Sequence, residues 1–252
     1  MLVARLGSPA SSAAVRGQAA QWRAWRRPLS GEEQEGLRAL YRGLREREIP
    51  HEKAIQLTIT RVLTSPTFLY RLEKAGSGAK PVAVTNAELA TRLSYFLWSS
   101  LPDAELRRAA AAGELTGDKL LLAQTRRLLR DSRTRRLAEH FTCQWLHIRG
   151  FDQNDDKNEK LYPTFPEMRG VRSEESVRFF EDMFRNDGPV LDLLSADHTF
   201  LNERLAKFYG IDGVTGSKWR RVDGVQSRGR GGVLGLATVL AANSGASRTS
   251  PI

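Results

Sequence analysis

His140, Cys143 and His147 are spaced H-x-x-C-x-x-x-H. On a regular helix, at 100° per residue, they fall within roughly 60° of one another. Such a trio offers two imidazoles and a thiolate to a soft metal, with an open fourth position. The simpler reading is two surface histidines beside a small residue, because three ligands on one helix are sterically awkward. The metal reading is therefore kept as a weak candidate, and the expectation is no metal.

Arg228 and Arg230, with Gly229, Gly231, Gly232 and Gly235, suggest an anion cradle ahead of a helix. The spacing matches neither G-x-x-x-x-G-K-[ST] nor a G-x-G-x-x-G after a clear strand. The alternative is a loop whose small residues let backbones approach. Asp197, His198, Asn202, Glu203 and Arg204 form one polar cluster; Ser244, Ser247, Arg248, Thr249 and Ser250 form another. Asp197 and Glu203 would be the natural acid and base of a hydrolase acting on polysaccharide or ester. The plainer reading makes Asn202 a helix cap and Arg204 a partner for Asp197. Asp152, Asp155, Asp156 and Glu159 lack the glycine of an EF-hand loop. Arg126, Arg127, Arg130, Arg133, Arg135 and Arg136 are a basic run that would suit phosphates, but no nucleic-acid module surrounds them.

These residues sit on elements the pattern predicts to be helical. Capping boxes stand at Ser30–Glu33 and Thr85–Glu88. Apolar stripes at helical spacing follow both, and recur over His51 to Leu63, with Ile55, Ile59, Val62 and Leu63 as its face. Ser65-Pro66 opens a short helix expected to continue to Glu73. Helices are predicted from Pro102 to near Gly113, over 117–130, over 132–149 and over 168–185. The helix over 132–149 is expected to bury Leu137, Phe141, Trp145 and Ile148. Thr199–Leu201 and Trp219–Val222 read as short strands, and 233–242 as a buried helix. The expected fold is mainly α: bundle-like multi-helix modules with at most short strands near the C-terminus. The expected division is a helical module over 1–75, a linker over 76–81, a central helical module over 82–212, and from 213 the start of a truncated C-terminal module.

Composition sets the outer bounds. The chain has 252 residues, 40% of them hydrophobic, with five Trp and a mean hydropathy of −0.42. No stretch approaches the roughly 18 apolar residues that span a bilayer, and no signal peptide is evident. One cysteine excludes an internal disulfide and a C-x-x-C-H haem attachment. The net charge is +10; 31 of the 39 basic residues are Arg, a bias consistent with composition on solvated helix faces. Nucleic acid is accordingly a disfavoured partner.

Longer stretches carry a resemblance. They are Trp25-Arg-Arg-Pro-Leu-Ser30 with Ser65-Pro-Thr-Phe-Leu-Tyr-Arg71; Leu89-Ala-Thr-Arg-Leu-Ser-Tyr-Phe-Leu-Trp-Ser-Ser-Leu-Pro-Asp103; Asp197-His-Thr-Phe-Leu-Asn-Glu-Arg-Leu-Ala206; and Arg230-Gly-Gly-Val-Leu-Gly235 through Arg248-Thr-Ser-Pro251. Together they resemble the planctomycete cytochrome-c-like multidomain proteins, in their domains of unknown function fifteen-ninety-five, fifteen-ninety-two and the start of fifteen-eighty-eight. The resemblance implies a piece of an exported, extracytoplasmic (periplasmic) protein whose c-type haem sits in another module, with no cofactor in this chain and other modules of the same polypeptide as partners. It implies a scaffold or interaction region and no established catalytic residues. Its motifs mark Asp197, Asn202, Glu203, Arg204, Arg230, Gly231, Gly232, Arg248, Thr249, Ser250 and Pro251 as a candidate functional surface.

Overall fold

A computed structural model describes residues 24–73, 78, 81–153 and 156–248. Helices dominate, and the described strands form one two-stranded sheet. No helix among the described residues is long and apolar enough to cross a membrane. The chain divides into two compact units: residues 1–96 with 100–125, and residues 97–99 with 126–252. The stretch 76–81 falls within the span of the first unit.

The first unit opens on α1 (Gly31–Glu46) and α2 (His51–Leu63). Ser30 caps α1 through the predicted box: its hydroxyl accepts from the Glu33 amide at 3.1 Å, and Glu33 accepts from the Ser30 amide at 2.8 Å. Arg27 clamps the same carboxylate with two bonds of 2.7 and 2.8 Å, which holds the Glu33 pKa down at about 2. α2 buries Ala54, Thr58 and Val62, not the Ile59–Leu63 edge, which stays exposed. Spacing marks a stripe, but the small pair Ala54 and Thr58 takes the side of closest approach.

α3 (Pro66–Leu69) is one turn long and ends at Tyr70, short of the expected Glu73. Its open carbonyls explain a side chain forty residues away. The buried Arg26 guanidinium donates to the carbonyls of Thr67, Phe68 and Tyr70 at 2.5–3.2 Å. Beside it the Trp25 indole donates to Ser65 Oγ at 2.8 Å. The stretches beginning at Trp25 and at Ser65 are thus one lock. α4 (Asn86–Trp98) begins at the second predicted box, with Thr85 and Glu88 bonding reciprocally. α5 (Ala104–Ala111) is capped by Asp103, and α6 (Asp118–Arg130) comes next.

In the second unit Trp98 is fully buried and donates to the Leu128 carbonyl at 2.9 Å. The Arg133 guanidinium lies 3.4 Å above its ring and is fixed by Asp131. The next helix, α7, differs from expectation. It runs as Arg135–Leu137, a π turn over Ala138–Thr142, and Cys143–Trp145, and it stops there rather than at Arg149. A π turn inserts a residue and rotates the helix beyond it. Leu137 and Ile148 are buried as expected, but Phe141 and Trp145 are 44% and 48% exposed, stacked on each other at 5.7 Å.

The organising element is α8 (Phe165–Arg185), 21 residues long, opened by Pro166 in its first turn. It packs on three apolar groups: Val177, Phe179 and Phe180 meet Ala138, Ala196, Val233, Leu236 and Val239; Met168 meets Leu201, Leu205 and Ala206; Phe165 meets Ile148 and Phe151. After α9 (Asp192–Ser195), β1 (His198–Leu201) pairs antiparallel with β2 (Arg220–Asp223), Thr199 opposite Val222. Between them lies α10 (Glu203–Tyr209), closed by Gly210 in the left-handed region. The apolar segment over 233–242 is a short 3-10 turn, then α11 (Ala237–Ala242).

The Arg26 lock sets a stability test. Arg26→Met leaves three carbonyls without their charged donor and should lower the unfolding free energy by about 2 kcal/mol in urea titration. A loss under about 0.5 kcal/mol, the range of an ordinary surface change, would contradict the lock.

Candidate functional site

The second unit holds a buried polar centre. α8 presents Met168, Arg172, Glu175 and Phe179 at 4-3-4 spacing, so a guanidinium and a carboxyl sit in an apolar stripe. Glu175 is 1% exposed. Thr199 Oγ1 from β1 donates to its Oε1 at 2.6 Å, and Tyr209 Oη from α10 donates to its Oε2 at 2.5 Å. Burial pushes its pKa up to about 7, against the pull of those two hydroxyls and of Arg230. The Tyr209 hydroxyl is itself pushed up by burial and by the neighbouring carboxyl. Next to Glu175 on α8, Ser176 shares a hydrogen bond with Thr238, and Thr238 reaches the Arg172 carbonyl.

Of the residues singled out from sequence, Arg230 joins this centre. It lies 4.0 Å over the Tyr209 ring and donates to the Gly235 carbonyl at 3.0 Å. The others serve elsewhere. Asp197 is exposed and accepts from the Gln226 amide at 2.8 Å, pinning the turn after β2. Asn202 caps α10 through the Leu205 amide at 3.0 Å, as expected. Glu203 takes Lys207 and the Gly216 amide at 2.5 and 2.6 Å, which hold its pKa down. Arg204 meets Glu167, at its carbonyl (3.2 Å) and its carboxylate (3.9 Å), and not Asp197. Arg248 is exposed; Thr249, Ser250 and Pro251 lie outside the described residues.

Gly231 and Gly232 serve close approach. A Cβ on Gly231 would lie 2.4 Å from the Ala196 carbonyl oxygen, and one on Gly232 2.5 Å from that of Leu194. Their φ values of 126° and 58° also favour glycine.

The structure does not gather His140, Cys143 and His147. His140 lies in the π turn, α7 ends before His147, and His147 has left the helix with φ 54°. Among the described residues no group of three His, Cys, Asp or Glu side chains is placed to hold a metal ion. The basic run is partly absorbed as well. Arg135 pairs with Glu139, Glu174 and Glu181, Arg133 with Asp131, and Arg136 donates to the Trp98 carbonyl. In the first unit a groove of about 1030 Å³ is lined by Trp25, Arg71, Tyr95 and Phe96 among others. Three of the charged groups beside it are spent: Arg92 on Glu73, Arg27 on Glu33, Arg26 on carbonyls.

Sequence reasoning passed over Arg172 and Glu175. The available signal was two charged residues inside the apolar stripe of α8, where the core-facing side of an amphipathic helix carries apolar ones.

The buried carboxyl and the glycine loop each set a test. Between its unfolded value near 4.5 and about 7, Glu175 holds a proton when folded and releases it when unfolded. Stability therefore falls as pH rises through that window, by on the order of 3 kcal/mol, and levels off above it. Glu175→Gln should flatten that segment of the stability-pH curve; an unchanged slope would contradict the assignment. Gly232→Ala should cost about 3 kcal/mol in denaturant titration, and a neutral effect would refute the close approach.

Residues 84–211 match the family model described as PSD4, protein of unknown function (DUF1592), and residues 18–73 match that described as PSD5, protein of unknown function (DUF1595). No curated protein and no solved structure matches the sequence. The first match spans the helices from α4 to α10, including Arg172, Glu175 and Tyr209, and covers a little over half of the chain, which therefore belongs to the DUF1592 family.

Proposed function

We propose that this chain is a helical scaffold and interaction region within a larger, exported, haem-c-associated polypeptide, and that a third module of the fifteen-eighty-eight type begins near residue 213. One observation carries the scaffold reading. The polar residues singled out for chemistry, Asp197, Asn202, Glu203 and Arg204, are each engaged in tying chain segments together or capping a helix. A catalytic acid or base needs a carboxyl that reaches substrate; these carboxylates already accept backbone amides. The reading supported by the family matches is an uncharacterised region; the haem and export parts rest on the resemblance of its motifs alone.

The test uses the intact product of the gene. Antibodies raised against this chain are used to probe envelope fractions of the native host, and the same gel is stained for covalent haem. The reading expects the recognised band to be larger than 28.2 kDa, to stain for haem and to fractionate with the envelope. A recognised band that carries no haem stain, or that fractionates with the cytoplasm, would overturn it.

A further inference from the structure

Phe208 and Tyr209 are neighbours at the end of α10, with ring centroids 5.6 Å apart. Each carries an arginine: Arg172 lies 4.4 Å from the Phe208 centroid, and Arg230 lies 4.0 Å from that of Tyr209. Two adjacent rings thus each hold a guanidinium, one from α8 and one from the glycine loop, and the two lie near enough for Arg230 to repel the Arg172 charge. A third ring, Phe165, lies 5.3 Å from the Arg172 guanidinium.

Arg172 is 7% exposed, and its Nε is a buried donor without a partner. Among the described residues no carboxylate and no carbonyl accepts a hydrogen bond from this guanidinium. Burial, reinforced by repulsion from Arg230, pushes its pKa down. A desolvated charge without a partner is costly and is rare in folded proteins. The nearby carboxyl does not answer it: both oxygens of Glu175 are held by the hydroxyls of Thr199 and Tyr209. Arg230 spends one nitrogen on the Gly235 carbonyl, which leaves donors of its fork unspent. The place is walled by aromatic rings and holds two guanidiniums. It is also close to the surface, since Phe208, stacked on Arg172, is itself 45% exposed.

A planar fork of N–H donors between aromatic faces suits an oxyanion that accepts two bonds at once. We propose that Arg172 and Arg230 form a binding site for a small oxyanion, a carboxylate or a phosphate, with Phe208 at its entrance. Arg172 supplies the buried donors and Arg230 the second charge. The site is separate from the scaffold reading and stands or falls without it.

The test is calorimetric titration of the purified chain with sodium phosphate and with sodium acetate, at constant ionic strength made up with chloride. The proposal expects a one-to-one isotherm for at least one anion, and the tighter one identifies the class. Arg172→Gln should abolish that isotherm, Arg230→Gln should weaken it at least tenfold, and Arg38→Gln, a change on the exposed face of α1, should leave it unaltered. Where Arg172→Gln fails to fold, Arg230→Gln decides. Flat titrations with both anions in the wild type would overturn the proposal. So would a dissociation constant in the folded arginine variants equal to that of the wild type.

Discussion

The second unit is built around a carboxyl group that must be hidden. Met168 and Phe179 are core residues of α8, and Glu175 lies between them on the same face. The helix cannot bury its apolar stripe without taking Glu175 inside. Desolvating a carboxyl is tolerable only when its oxygens find donors. Those donors come from two other elements: Thr199 on β1 and Tyr209 on α10. This fixes the position of both elements. Thr199 and Leu201 share one face of β1, so the strand that places the hydroxyl also places Leu201 against Met168. A slip of one residue would carry the Thr199 hydroxyl off Glu175 and leave that carboxyl short of a donor.

The same constraint reaches the glycine loop. Tyr209, which serves Glu175, is the last residue of α10, and Gly210 in the left-handed region ends the helix there. Arg230 then covers the Tyr209 ring, and Gly231 and Gly232 let the following backbone pass against the carbonyls of Ala196 and Leu194. Glycines that read as a phosphate cradle are therefore required by packing, and the arginine beside them is the residue left with donors to offer. The first unit solves a smaller version of the problem. A helix of one turn cannot satisfy its own carbonyls, and Arg26 supplies the donors.

The features legible in the sequence were those that depend on near neighbours. The boxes at Ser30 and Thr85, the Asn202 cap and the two short strands are set by residues three or four apart, and each forms as its pattern implies. The mainly helical character comes from the same local periodicity. The features that were not legible depend on distant packing. The π turn of α7 leaves no local mark, so the faces of Phe141 and Trp145 and the spacing of His140, Cys143 and His147 came out differently. Arg204 reads from sequence as a partner for its near neighbour Asp197, but the fold sets it against Glu167, 37 residues away. Glu175 and Arg172 were visible as misplaced charges in an apolar stripe, but the hydroxyls that meet Glu175 lie 24 and 34 residues away. The +10 charge, read as decoration of solvated faces, includes two arginines that are not solvated in that way.

The central claim is that Glu175 keeps its proton to near neutrality because burial outweighs the pull of the two hydroxyls that bond it. It is measured most directly by NMR titration of carbon-13-labelled glutamate side chains in the folded protein, with Glu175→Gln identifying the resonance. The account predicts one glutamate with a midpoint of about 7. A Glu175 midpoint near the ordinary value of about 4.3 would contradict it, and would mean that this carboxyl is solvated and does not organise the unit.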